Sequence, residues 1–187
     1  MNLKTTLLGL LFFLFIAACK DSSSVQSSNK QNFYTFDIEE KLDSLGVILS
    51  SPKVPTNNYV HVVQTGNLLF LAGKGPKDIE GKNIVGRLGD NMTIEEGYQA
   101  ARRIGIAQLS VLKDHLGDLN KVKRVVKVLG MVKCTDTFKD QPSVVNGFSD
   151  LMVEVFGERG KHARAAVGMS ALPGGICAEI EMIVEVE

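Results

Sequence analysis

Arg164 is the residue whose type and setting most demand a chemical explanation. It stands in Gly157-Glu158-Arg159-Gly160-Lys161-His162-Ala163-Arg164-Ala165-Ala166-Val167, at the mouth of an apolar, strand-like run. A guanidinium among apolar neighbours needs a partner, and its planar fork matches a carboxylate best. Glu179 follows across the turn Pro173-Gly174-Gly175, on the next strand-like run. Spacing alone leaves two readings open. Arg164 and Glu179 can form a structural ion pair, or Arg164 can hold a ligand's carboxylate. Other chemistries lack their residues. No Ser/His/Asp triad or dinucleotide fingerprint is present. Gly73-Lys74-Gly75 has neither the spacing nor the hydroxyl residue of a phosphate loop. His61, His115 and His162 are scattered singly, without metal-ligand spacing.

The elements that must position these residues are legible from capping and periodicity. Asp37-Ile38-Glu39-Glu40 reads as a capping box, with Ile38, Leu42 and Leu45 on one helical face and Gly46 as the stop. Val60–Gln64 and Leu68–Ala72, joined by Thr65-Gly66-Asn67, read as a hairpin. Gly73–Gly89 is loop or weak strand. Thr93-Ile94-Glu95-Glu96 opens a long helix that Gly117 ends, and its Ala100, Gly105 and Ala107 suit close packing on a sheet. Val122–Cys134 is a valine-rich central strand, with Val126, Val128, Val132 and Cys134 on one face and Val125, Leu129 and Met131 on the other. Asp140 and Pro142 start a further helix ending at Gly157. Ala165–Leu172 is a strand. Ile176–Glu187 alternates strictly, with Glu181 and Glu185 on the side facing solvent. Two main helices can cover one face of such a sheet. The other face still carries apolar side chains, so it is expected to be buried between copies of the chain.

The N-terminus carries a different kind of signal. Lys4 is followed by the apolar run Leu7–Ala18, too short to span a bilayer, which takes about 20 residues. Ile16-Ala17-Ala18-Cys19 resembles the lipobox of bacterial lipoproteins. The expected organisation is a signal peptide at 1–18, a lipidated Cys19 with a Ser-rich tether to residue 32, and one domain at 33–187. The expected location is the cell envelope, lipid-anchored on the periplasmic or outer-membrane face. Such a compartment would allow Cys134 and Cys177 to form a disulfide, but buried cysteines in strands more often act as small hydrophobes. The chain has 187 residues, 44% hydrophobic and 22% charged, which is a globular composition. Lys+Arg and Asp+Glu are both 21. Without a basic excess, nucleic acid is a poor candidate partner.

Gly66-Asn67-Leu68-Leu69-Phe70-Leu71-Ala72-Gly73, Ala163-Arg164-Ala165-Ala166-Val167, and Leu172-Pro173 through Glu179-Ile180-Glu181 resemble the Rid family. These are the reactive intermediate deaminases, also called the YjgF family or L-PSP endoribonucleases. The resemblance runs from about Leu45 to Glu187. It is nearest to a branch marked by Asn58-Tyr59-Val60, Val145-Asn146-Gly147 with Ser149-Asp150-Leu151, and Val155-Phe156-Gly157 leading to His162-Ala163-Arg164.

The resemblance implies an α+β, chorismate-mutase-like fold: a mixed β-sheet with two main helices on one face, assembled as a homotrimer with intersubunit clefts. It implies that Arg164 holds a small substrate's carboxylate and that Glu179 positions the hydrolytic water. Tyr59 and Asn146 would line the pocket together with Gly73 and Ala166. The chemistry would be hydrolysis of a 2-imino or enamine acid to a 2-oxo acid and ammonia, without metal or cofactor. An imine carbon is already electrophilic, so orientation and one placed water can suffice. Ala72 stands where the family often has serine, and Ala166 where it often has cysteine, so substrate choice does not carry over. The alternatives are a module that binds small carboxylates without turnover and an endoribonuclease.

Overall fold

The computed structural model describes residues 33–187. The expected signal peptide at 1–18, lipidation site at Cys19 and tether to residue 32 lie outside the described residues. Eight principal elements follow in order: α1 (Ile38–Ser44), β1 (Val62–Thr65), β2 (Leu68–Lys74), α2 (Ile94–Leu116), β3 (Val122–Lys133), α3 (Gln141–Phe156), β4 (Ala163–Met169) and β5 (Ala178–Val186). Of the two capping boxes expected from sequence, the one at Thr93 forms in full and the one at Asp37 forms only in its Asp37 half. Asp37 accepts from the amides of Glu39 and Glu40, and Thr93 and Glu96 close a reciprocal capping box. Gly117, at φ 73°, ends α2.

The strands form one mixed sheet in the order β1-β2-β5-β3-β4. Every neighbouring pair is antiparallel except β3 and β4, which are parallel. The architecture is the α+β, mixed-sheet arrangement expected, with α1 as a third, short helix. β4 starts two residues earlier than the sequence suggests, because its parallel ladder with β3 begins at Lys127↔Ala163. Arg164 therefore lies inside the strand, opposite Val128, and not at its mouth.

The expected faces of β3 need correction near its start. Two bulges, between Val122 and Arg124 and between Val125 and Lys127, each set an extra β3 residue against β5. An extra residue inverts the alternation. Val122, Val125, Val128 and Val132 consequently all point into the core, each at most 1% exposed. Val126 is only half-buried.

α2 and α3 cover the core face and run side by side in the same direction, Gly97 meeting Val144 and Gly105 meeting Leu151. Gly105 thus serves the contact between helices, not helix-on-sheet packing. The tightest approach is at Gly147 of α3, whose backbone sits directly on the Tyr98 carbonyl. Tyr98 Oη donates to Asp150 at 3.0 Å and Arg102 pairs with Glu154 at 2.7 Å across the same seam. On the opposite sheet face, Val63, Phe70 and Val167 are 56%, 41% and 39% exposed in the single chain, an apolar area with no helix over it.

Candidate functional site

The expected site residues separate into two groups on the chain. The first forms where α3 crosses β4. Arg164 Nη1 donates to Asn146 Oδ1 at 2.9 Å and to Ser149 Oγ at 3.0 Å. Both hydrogens of that nitrogen are then used, and no described residue bonds Nε or Nη2. That free edge is the one that receives a carboxylate with two parallel bonds. Asn146 and Ser149 are three positions apart, so they project from one helix face. Ala166, two residues beyond Arg164, shares its side of β4 and packs on the core beside Gly130.

Arg164 and Glu179 do not pair. β4 and β5 are separated in the sheet by β3. Arg164 aligns through Val128 with Met182, on the helix-covered face. Glu179 alternates to the opposite face from the buried Ile180. The structural ion pair is thereby excluded within one chain, because strands consecutive in sequence are not neighbours in space.

Glu179 belongs to the second group. Its half-buried carboxylate lies against Gly73, so closely that a side chain at position 73 would collide with Glu179 Oε1. Gly73 sits in a bulge of β2, between the paired residues Leu71 and Lys74. Gln108 of α2, fully buried, secures this bulge by donating to the carbonyls of Ala72 at 3.0 Å and Ile180 at 2.9 Å. Beyond Gly73, Lys74 Nζ lies 2.6 Å from His61 Nδ1. Burial pushes the Lys74 amine below the usual lysine range. His61 Nε2 donates to the Lys53 carbonyl at 2.7 Å. Tyr59, half exposed, presents its ring edge-on to His61 at 6.4 Å. A pocket of about 210 Å³ involving Pro52, Val60, His61, Asp114 and His115 opens beside these residues and includes neither Arg164 nor Glu179.

Neither type nor spacing singles out Ser149 and His162 as a pair. Ser149 Oγ lies 3.1 Å from His162 Nε2, and His162 Nδ1 lies 2.7 Å from the Gly160 carbonyl. A carbonyl only accepts, so Nδ1 carries the hydrogen and Nε2 offers a lone pair to the serine hydroxyl. Burial, helped by the nearby Arg164 charge, holds the imidazole below the usual histidine range, against an opposing pull from the Gly160 carbonyl. The usable signal was same-side spacing: His162 two residues before Arg164 on extended chain, and Ser149 three after Asn146 on a helix.

Two smaller expectations also meet the structure. Cys134 and Cys177 are both buried and unbridged. Burial pushes the Cys177 thiol up to about 11, which makes it an inert core group. Glu185 is not simply solvated: Lys123 at 2.6 Å and Asn67 at 3.0 Å both donate to it, and Lys123 leads in holding its carboxyl below the usual range.

Comparison with known proteins gives a consistent result. Residues 39–184 match the family described as "YjgF/chorismate_mutase-like, putative endoribonuclease". Protein TCP17 of Trypanosoma cruzi is 41% identical over 149 residues, covering 79% of this chain and 93% of its own. A solved structure of a protein of unknown function from Agrobacterium tumefaciens is 39% identical, covers 80% of this chain and 91% of its own, and superposes with a TM-score of 0.72. A "putative endoribonuclease" from Shewanella oneidensis is 27% identical, covers 81% of this chain and all of its own, and gives a TM-score of 0.77.

Proposed function

The chain belongs to the YjgF/chorismate-mutase-like family, and on that premise we propose that it is a hydrolytic deaminase of small 2-imino or enamine acids, releasing 2-oxo acids and ammonia. The observation that carries the proposal is the Arg164 guanidinium, held by Asn146 and Ser149 with its Nε/Nη2 edge free. That edge binds the substrate carboxylate. The imine carbon is then presented to water, and Glu179 positions that water. The test is ammonia and 2-oxo acid release from freshly generated 2-imino acids, measured against the spontaneous rate. A wild-type rate equal to the spontaneous one overturns it.

A binding module without turnover is the second reading. It is favoured by the separation of Arg164 from Glu179 within one chain. Thermal stabilisation by 2-oxo acids without any hydrolysis would establish it. Endoribonuclease activity, for which the Shewanella relative is named, fits poorly with equal numbers of basic and acidic residues.

The proposed deaminase is a homotrimer. Packing the uncovered apolar sheet face between copies removes Phe70 and Val167 from water. It also brings Arg164, Asn146 and Ala166 of one copy to Gly73, Glu179 and Tyr59 of the next. Arg164→Ala and Glu179→Ala should therefore each keep no more than a few per cent of the activity alone, yet co-refolded in equal amounts they should recover about a quarter of wild-type sites, those assembled from two intact halves. No recovery in mixed trimers would refute the shared site. The protein is further proposed to be held at the membrane by a lipid on Cys19, in the cell envelope. Intact-mass analysis of the mature protein should find a diacylglyceryl group on an N-terminal Cys19; an unmodified cysteine would rule the anchor out.

A further inference from the structure

We infer that Ser149 and His162 are the acid–base pair for a substrate held on Arg164, a role that rests on the deaminase proposal above. The geometry is a chain of hydrogen bonds with one direction. Arg164 Nη1 donates to Ser149 Oγ at 3.0 Å, Ser149 donates to His162 Nε2 at 3.1 Å, and His162 Nδ1 donates to the Gly160 carbonyl at 2.7 Å. A hydroxyl with a base on one side and a cation on the other loses its proton readily, and an imidazole oriented by a third group is the usual form of such a base. The chain runs inward, from exposed Arg164 to half-buried Ser149 and His162. The Phe148 ring stands nearly perpendicular to the imidazole, with ring centroids 6.4 Å apart. The pair is on the same chain as Arg164, whereas Glu179 is on the far side of the sheet.

The step balances as follows. The substrate is the protonated imine, C=NH2+. A lone pair of water forms the C–O bond while the C=N π electrons move to nitrogen. Water passes a proton to Ser149 Oγ as Ser149 passes its own to His162 Nε2. The product is a neutral carbinolamine with an imidazolium beside it. The proton then returns through Ser149 to the amine nitrogen. The C–N bond breaks as the carbinol O–H electrons form C=O, and nitrogen leaves carrying the hydroxyl proton, as ammonium.

The charged groups on the elements around His162 are few. They are Arg164 on β4, the Glu158–Lys161 pair and Arg159 in the preceding turn, Lys127 on β3, which aligns with Ala163, and Asp150 and Glu154 on α3, which are bound to Tyr98 and Arg102. Arg164 is the one that acts on the imidazole charge.

The experiment compares full-length wild type with His162→Gln, Ser149→Ala, Ser149→Thr and Arg164→Ala. It measures kcat and KM for in situ generated 2-imino acids from pH 4.5 to 8, with pyruvate-induced thermal shift as a separate binding readout. His162→Gln and Ser149→Ala should lose about 100-fold or more in kcat while KM stays within about threefold and the pyruvate shift persists. Ser149→Thr should restore most of the rate. Wild-type kcat/KM should fall as pH drops below the ordinary histidine range, and His162→Gln should lack that limb. Loss of the pyruvate shift together with activity in His162→Gln would mean the pair only props Arg164, and overturns the inference. Turnover that needs Arg164 but survives His162→Gln and Ser149→Ala overturns it alone. No turnover in wild type overturns it together with the deaminase proposal.

Discussion

Replacing Arg164 with alanine should lower kcat/KM for 2-imino acids about 30- to 150-fold. The expected size follows from what is removed. A hydrogen-bonded contact to a charged group contributes about 1.5–3 kcal/mol, and each 1.4 kcal/mol is tenfold, so a two-pronged contact at an open site falls at the upper end. Substrate binding should suffer first, because the carboxylate is present in ground state and transition state alike. KM should therefore rise and the pyruvate-induced thermal shift should vanish. Arg164→Lys should recover only part of the loss, since an ammonium cannot donate simultaneously to Asn146, Ser149 and both carboxylate oxygens. The fold should tolerate both changes, because Arg164 is exposed and has no carboxylate partner among the described residues. Unchanged KM in Arg164→Ala would reject the arginine as the substrate anchor.

Gly147→Ala should be the most damaging single-methyl change in the domain. The added carbon would fall inside contact distance of the Tyr98 carbonyl, with the Arg102 amide beyond it at 3.2 Å. These are main-chain atoms of α2, so no rotamer change relieves the clash, and the helices must separate. Overpacking typically costs about 1–3 kcal/mol, and a main-chain obstacle belongs at the top of that range. For a domain of this size about 3 kcal/mol corresponds to a fall in Tm of about 6–12 °C. Gly46→Ala is the contrasting case: φ is +64°, but nothing lies within 4 Å. It should cost only about 1–2 kcal/mol of backbone strain. Thermal unfolding of the two variants checks the order. Gly147→Ala melting no lower than Gly46→Ala would show that the α2–α3 seam yields easily.

Capping and alternation make most of the fold legible in the sequence. Asp37, Thr93 and Gly117 mark helix ends by local hydrogen bonding, which a sequence displays directly. β5 alternates without interruption, and its buried set is the one its pattern predicts. The faces of β3 at Val125 and Val126 are not legible, because a bulge is a relation between two strands, and one strand's residues do not announce it. The same limit governs the site. Arg164 and Glu179 were identifiable by type and family motif. Their separation depends on β3 inserting between β4 and β5, a long-range fact with no local trace. The contact between Ser149 and His162 has no local trace either, because thirteen positions of chain separate a helix residue from one that flanks a strand.

The imidazole of His162 takes its orientation from the main chain of Gly160, and this affects how the site can change over generations. A carboxylate or amide in that place could be lost by a single base change. A carbonyl cannot be deleted by any substitution. Nor is position 160 free to drift, since a methyl group there would strike the Met152 carbonyl of α3. The proton arrangement at His162 is therefore inherited with the backbone itself, while Asn146, Ser149 and the residues near Tyr59 remain open to mutational exploration. Divergence in this lineage should accumulate in what the site recognises sooner than in how its histidine is set.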